Sequence, residues 1–335
     1  MDKLNVGVIG VGRIGRLHAR NLKYLVPGAK LLAVADIFEK SAKEVASQLE
    51  IPIAEKDYRV LLENKDIDAV AICSSTDTHA QIISESAEVG KHIFCEKPIA
   101  LDLNKIDQAL IAVKKAGVKL QVGFNRRFDP SFRKAKELVK NGTIGTPHLV
   151  RISSRDPEPP PISYIKVSGG IFLDMMIHDF DIARYLLDQE VVELIAVGSC
   201  LIDPAIGKVG DIDTAVVTLK YENGAWGTID NSRKAVYGYD QRIEIFGSEG
   251  CVTVGNPRPT EVTVNSSNNT ISDKPLYFFI ERYQEAYLTE MEEFIKCIQE
   301  DKEPSVGGLD GKISVQMGYA AKESLSKRSF VKLIR

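Results

Sequence analysis

The sequence predicts two domains: an α/β domain built on a doubly wound parallel sheet, followed by an α+β domain with a large, open, mostly antiparallel sheet. Three observations carry this expectation. The chain has 335 residues, more than one domain ordinarily takes. In the first third, short runs rich in Val and Ile alternate with segments of helical period, as in parallel strands covered by helices on both faces. After Pro130 the alternation gives way to consecutive β-rich runs punctuated by turn residues, which reads as an antiparallel sheet.

The strand runs of the first part lie at residues 5–9, 31–35, 69–73, 92–95 and 120–124, and the helical segments at 41–49, 78–89 and 104–116. Gly90 and Gly117 stand where a left-handed residue closes a helix. A sheet of this kind binds its ligand beyond the carboxyl ends of its strands, so the chemistry is sought there. A helix opened by Pro130 runs to about Lys140, and strands follow at 149–154, 192–202, 214–221, 225–230, 242–246, 251–254 and 261–264. One strong helix interrupts them at 170–187, and the chain closes with helical segments at 280–300 and 312–327. The resulting division is residues 1–124 for a dinucleotide-binding domain and 125–335 for a substrate and assembly domain, with the C-terminal helices able to pack back on the first.

At 44% hydrophobic and 27% charged residues the chain has material for sizeable cores, and a net charge of −3 offers no basic field for nucleic acid. Five cysteines, Cys73, Cys95, Cys200, Cys251 and Cys297, form no C-x-x-C pair, and an odd number suits a reducing compartment. The N-terminus reads as a strand entering a glycine loop rather than a signal peptide, and no apolar run approaches the roughly 20 residues that span a bilayer. A cytoplasmic protein with no membrane or nucleic-acid partner is expected. The glycosylation patterns at Asn141, Asn265 and Asn268 then carry no meaning.

Gly10-Val-Gly12-Arg13-Ile14-Gly15 follows the first strand and opens a helix. The first glycine makes a tight turn, the second lets backbone approach a pyrophosphate, and the third allows close helix packing, as in Rossmann dinucleotide sites. Asp36 ends the next strand 21 residues after Gly15, where a carboxylate accepts both ribose hydroxyls and repels a 2′-phosphate. NAD is favoured over NADP, although Arg13 and Lys40 could meet a phosphate.

Three further segments follow strands or the Pro-rich loop. Ser74-Ser75-Thr76-Asp77-Thr78-His79 suits a helix N-cap and can also line the cofactor. In Cys95-Glu96-Lys97-Pro98 the lysine could donate to a reacting oxygen or simply form a solvated ion pair, and the proline bond could be cis. Gly169-Gly170-Ile-Phe-Leu-Asp174-Met-Met-Ile-His178-Asp179-Phe-Asp181 puts Asp174 and His178 four residues apart, on one helical face. Such an imidazole can accept an alcohol proton, or it can be a structural histidine. With no H-x-x-x-H pair and no evident fourth ligand, a metal is not expected.

Taken together, Gly10-x-Gly12-x-x-Gly15-x-x-His18, Glu96-Lys97-Pro98 and Gly169-Gly170-x-x-x-Asp174-x-x-x-His178-x-x-Asp181 resemble the glucose-fructose oxidoreductase/inositol dehydrogenase/rhizopine catabolism family over nearly the whole chain. Gly123-Phe-Asn125-Arg126-Arg127-Phe-Asp129-Pro, Arg155-Asp156-Pro157 and Tyr237-Gly-Tyr-Asp240-Gln-Arg are similar to its inositol 2-dehydrogenase branch. The resemblance implies a catalytic set of Lys97, Asp174 and His178 and substrate contacts from Arg127, Asp156 and Tyr237. For NAD it implies contacts from Gly12, Arg13, Ile14, Asp36, Ser74, Ser75, Thr76, His79, Glu96 and Lys97. It also implies a Lys97-Pro98 bond that is often cis, and tetramers or dimers paired through the open sheet. Asn125 and Arg126 stand where inositol dehydrogenases commonly carry a large residue such as Met, which bears on the hydroxyl pattern accepted. The expected reaction is NAD-dependent oxidation of myo-inositol or a close isomer to its ketone. An aldose or amino-sugar dehydrogenase and a non-catalytic dinucleotide sensor are the alternatives.

Overall fold

The computed structural model describes residues 3–333. They form two compact units, the first running to Phe128 and taking in residues 285–315, the second holding 129–284 and the chain from 316 onward.

In the first unit the order is β1 (Leu4–Ile9), α1 (Arg13–Tyr24), β2 (Ala29–Ala35), α2 (Glu39–Leu49), β3 (Ile53–Glu55), α3 (Arg59–Glu63), β4 (Ala69–Ile72), α4 (Thr76–Glu88), β5 (His92–Glu96), α5 (Leu103–Ala116) and β6 (Leu120–Gly123). All six strands are parallel, ordered β3-β2-β1-β4-β5-β6, so the direction of winding reverses between β1 and β4. Ligands of doubly wound sheets bind at that reversal. β4 is buried at every position, and Val6, Val8, Val34, Ala71 and Phe94 from the strands join Ala19, Leu22 and Val45 from the helices in one core. Gly90 and Gly117 have φ of +77° and +69°, as the closing positions of α4 and α5 require. The sequence reading missed β3 and α3, which are too short to show a period.

The second unit contributes α6 (Pro130–Lys140), β7 (Pro147–Arg155), α7 (Ile162–Ser168), α8 (Ile171–Asp174), α9 (Ile177–Leu187), β8 (Val191–Ser199), α10 (Pro204–Lys208), β9 (Thr214–Tyr221), β10 (Trp226–Ser232), β11 (Asp240–Gly247), β12 (Cys251–Val254), β13 (Thr263–Asn265), β14 (Thr270–Ser272) and α11 (Phe279–Arg282). α12 (Gln284–Gln299), α13 (Gly308–Lys327) and β15 (Val331–Lys332) complete the chain. Seven strands form a sheet ordered β12-β11-β7-β10-β9-β8-β15, antiparallel except for the β7/β10 pair. Burial alternates along β9 and β10, with Val217, Leu219 and Ile229 turned inward. The opposite face exposes Leu149, Val197, Val216, Trp226 and Phe246.

Four expectations need correction. The helix expected over 170–187 is two helices: the Met176 amide donates to Ile171 O, five residues back, which widens the turn before α9 begins. The segment 280–300 likewise divides into α11 and α12 at Tyr283. Residues 263–265 pair only with β14, in a separate hairpin with exposed side chains. The strand expected to reach residue 202 stops at Ser199, because the amides of Leu201, Ile202 and Asp203 turn to the Asp213 carboxylate instead of a neighbouring strand.

Residues 285–315 belong to the first unit: Met291, Phe294 and Ile295 of α12 lie in its core, and Phe294 meets Phe94 edge to face.

Candidate active site

The glycine loop of the first unit behaves as its three glycines require. Gly10 has φ +87°, and a Cβ there would come within 2.5 Å of the Ser74 nitrogen. At Gly15 a Cβ would stand 1.9 Å from the Gly10 carbonyl, so α1 can approach β1 only with glycine in that place. A Cβ on Gly12 would meet nothing within 4 Å. Gly12 is the N-cap of α1, has no capping side chain, and is followed by no acidic residue in the first turn. Free amides, a helix N-terminus and open space are what a pyrophosphate needs.

Asp36 faces this loop. Its Oδ2 accepts from the Val11 amide at 2.8 Å and its Oδ1 from the Phe38 amide at 2.9 Å. Each oxygen retains a lone pair for a ribose hydroxyl. Arg13 and Ile14 occupy the first turn of α1.

The Ser74 to His79 segment departs from the capping expectation. Ser75 is the N-cap of α4, but its side chain makes no cap bond; Ser74 Oγ pairs with Thr78 Oγ1 at 2.7 Å, and Thr78 Oγ1 also donates to Ser75 O. Thr76 opens the helix. His79 is buried, with Nδ1 2.8 Å from Pro98 O and Nε2 3.0 Å from Ser74 O. It ties the turn after β5 to the loop after β4.

That turn carries Glu96 and Lys97, and the Lys97-Pro98 bond is cis. The Glu96 Oε1 is 2.8 Å from Nε2 of His18, a fully buried side chain of α1 set edge-on to Phe94 and Tyr287. Glu96 is therefore anchored to α1. Beyond β6, Asn125, Arg126 and Arg127 form a buried 3-10 turn. The Arg127 guanidinium donates to Ser305 O at 3.0 Å and to Asp310 Oδ1 at 2.9 Å, so its surroundings are those of a structural ion pair.

In the second unit Asp174 ends α8 and His178 lies in the first turn of α9. The Tyr164 hydroxyl donates to Asp174 Oδ1 at 2.9 Å, and both terminal nitrogens of Arg233 stand 3.3 Å from Oδ2. Arg233 is 1% exposed and also lies 3.7 Å from Asp211, whose Oδ1 accepts the Ile171 amide at the start of α8. Burial, followed by the Asp174 charge, pushes the Tyr164 phenol well above its ordinary range, which keeps it a donor. The charge of Asp156 acts on Tyr164 in the same sense.

Tyr237 sits in a polar network of its own unit. It donates to Asp240 at 2.6 Å and accepts from Arg155 at 3.2 Å, in a network that includes Asp230 and Arg242. Burial, then Asp240, raises its pKa.

Tyr164, Asp211 and Arg233 were not found from sequence: they lie 10, 40 and 59 residues from the groups they hold, and none sits in a motif that would single it out.

Comparison with known proteins extends this geometry to the whole chain. Residues 4–124 match the model described as the oxidoreductase family, NAD-binding Rossmann fold, and residues 132–253 match the GFO/IDH/MocA C-terminal domain. The chain is 52% identical to a myo-inositol 2-dehydrogenase of Thermotoga maritima, covering 98% of each protein. To a scyllo-inositol 2-dehydrogenase (NAD(+)) of Bacillus subtilis it is 41% identical, covering 96% of this chain and 94% of the relative. Its fold matches that of scyllo-inositol dehydrogenase from Lactobacillus casei, solved with NAD(H) and scyllo-inositol, with a TM-score of 0.92 at 31% identity over 99% of both chains. With the glycine cradle and Asp36 in place, and both family models matched in order, the chain belongs to the GFO/IDH/MocA family of NAD-binding oxidoreductases.

Proposed function

We propose that this chain oxidises myo-inositol to its 2-ketone with NAD as the hydride acceptor. The observation that carries the reading is its 52% identity, over 98% of both chains, to a myo-inositol 2-dehydrogenase. The glycine cradle and the Tyr164- and Arg233-bound Asp174 supply chemistry that suits a polyol. Gly10, Gly12, Arg13, Ile14, Gly15, Asp36, Ser74, Ser75, Thr76, His79, Glu96 and Lys97 are proposed to hold the cofactor, His79 acting through the loops it joins. NAD, when bound, supplies a nicotinamide carbon that accepts hydride.

His178 takes the proton of the reacting hydroxyl, Lys97 donates a hydrogen bond to the same oxygen, and Asp174, fixed by Arg233, orients the imidazole and an adjacent hydroxyl. A carboxylate that already accepts the Tyr164 hydroxyl can accept a substrate hydroxyl in the same way. Asp156 is proposed as a second hydroxyl acceptor. Arg127 and Tyr237 join the contacts by sharing the partners they hold in Asp310 and Asp240.

The protein is proposed to work in the cytoplasm as a homotetramer paired through the open sheet face, whose apolar side chains favour burial. Likeness to scyllo-inositol enzymes, together with the polar turn at Asn125 and Arg126, supports scyllo-inositol as the second substrate to test.

The deciding experiment follows NADH formation with myo-, scyllo- and D-chiro-inositol and glucose, each with NAD and NADP. Turnover of myo-inositol with NAD is expected. Activity confined to glucose would replace the polyol by an aldose, and NADH binding without turnover on any of them would leave a dinucleotide sensor.

A further inference from the structure

Glu290 lies in α12, within the first unit, and is fully buried; neither carboxyl oxygen has a hydrogen-bond partner. The groups facing it come from α12 itself and from four other elements. His18 of α1 has Nε2 at 3.8 Å from Glu290 Oε1. Glu96, at the end of β5, has an oxygen within 4.8 Å. The Cys73 thiol after β4 lies near both carboxyls, and Tyr287, one turn earlier on α12, stands edge-on to His18. Gln121 of β6 donates to the Glu290 backbone carbonyl at 2.7 Å. None of these groups carries a permanent positive charge.

A second bare carboxylate here would cost several kcal/mol, because low dielectric penalises an unpaired charge and strengthens its repulsion by the first. Burial, and then the Glu96 charge, push the Glu290 carboxyl well above the usual carboxylate range. His18 directs Nε2 to Glu96, while its Nδ1 has no hydrogen-bond partner.

We propose that Glu290 is a positioning residue for the Glu96-Lys97-Pro98 turn: its buried carboxyl, 3.8 Å from His18 Nε2, backs the His18–Glu96 pair from behind. It links α12 to α1, which opens at the glycine loop, and to the turn that presents Lys97. The inference rests on the role proposed above for Lys97, but its first test does not.

The test compares full-length wild type, Glu290→Gln and Glu290→Leu. A carboxyl protonated in the fold and released in the unfolded chain stabilises fully below its ordinary value. That advantage is lost as pH climbs toward the raised folded value. Glutamine does not titrate, so the Tm of Glu290→Gln minus that of wild type should increase as pH rises above the ordinary carboxylate range. Glu290→Gln, which keeps a polar group of the same size behind His18, should keep NADH affinity by fluorescence titration and kcat within about twofold, whereas Glu290→Leu should lose about tenfold in kcat with KM for myo-inositol little changed.

A Tm difference that stays constant with pH would overturn the proposal, as would Glu290→Leu kinetics equal to those of Glu290→Gln, or a stoichiometric metal in the purified protein. Should Glu290→Leu fail to fold, the pH series on Glu290→Gln decides. If wild type turns over no inositol, the polyol reading falls, while the Tm series and NADH titration still decide the state of Glu290.

Discussion

Asp174 is held by a buried guanidinium and a phenol, and this defines what can be asked of its neighbours. Replacing Arg233 by Met would leave Asp174 and Asp211 without their shared cation. Breaking a buried ion pair on one side costs about 3–5 kcal/mol, so Arg233→Met should unfold at markedly lower urea than wild type. Wild-type stability would mean that solvent or another cation replaces the guanidinium. His178 is a different case, proposed to act by proton transfer rather than by support. His178→Ala should lower kcat by about 10²–10⁴ while NADH affinity survives. Near-normal turnover would remove it from the chemistry.

Short elements position these side chains, and their glycines separate folding from binding. Gly15 packs against the Gly10 carbonyl, so an added methyl must displace backbone. Gly15→Ala should cost about 3 kcal/mol, read as a fall in Tm even without cofactor. Gly12 faces open space and has a backbone that other residues adopt. Gly12→Ala should therefore melt like wild type yet bind NADH at least about tenfold more weakly, because its methyl enters the pyrophosphate space. Equal effects on stability at the two positions would show that the loop reshapes freely. The break between α8 and α9 matters in the same way: the Asp211 carboxylate on the Ile171 amide sets where α8 starts, and hence where Asp174 ends it.

On the larger scale the open sheet of the second unit is the face proposed for assembly. Leu149, Val197, Val216, Trp226 and Phe246 come from five strands, β7, β8, β9, β10 and β11, and all are exposed. Introducing a charge at the middle of that face with Val216→Glu should lower the mass measured by light scattering while changing the Tm of the resulting species little, since the side chain is exposed in the isolated chain. An unchanged mass would locate assembly elsewhere.

Much of this molecule was legible in the sequence because its signals are local. The glycine spacing, Asp36 at a strand end, the closing Gly90 and Gly117, and the alternation of strand with helix each follow from sterics or periodicity within a few residues. Long strands such as β9 showed their period, whereas the three residues of β3 could not. Even the helix holding His178 was recognisable, although its break at the widened turn of Met176 was not, since the spacing of Asp174 and His178 fits one continuous helix equally well.

The supports of the site belong to another class. Arg233 reaches Asp174 across 59 residues, and Arg127 reaches Asp310 across 183. Glu290 comes from α12 to lie behind His18 and Glu96. No local pattern marks which arginine will be buried or which glutamate will lose its water. Motif geometry is a property of neighbouring backbone, whereas charge pairing and desolvation depend on which distant segments the fold packs together.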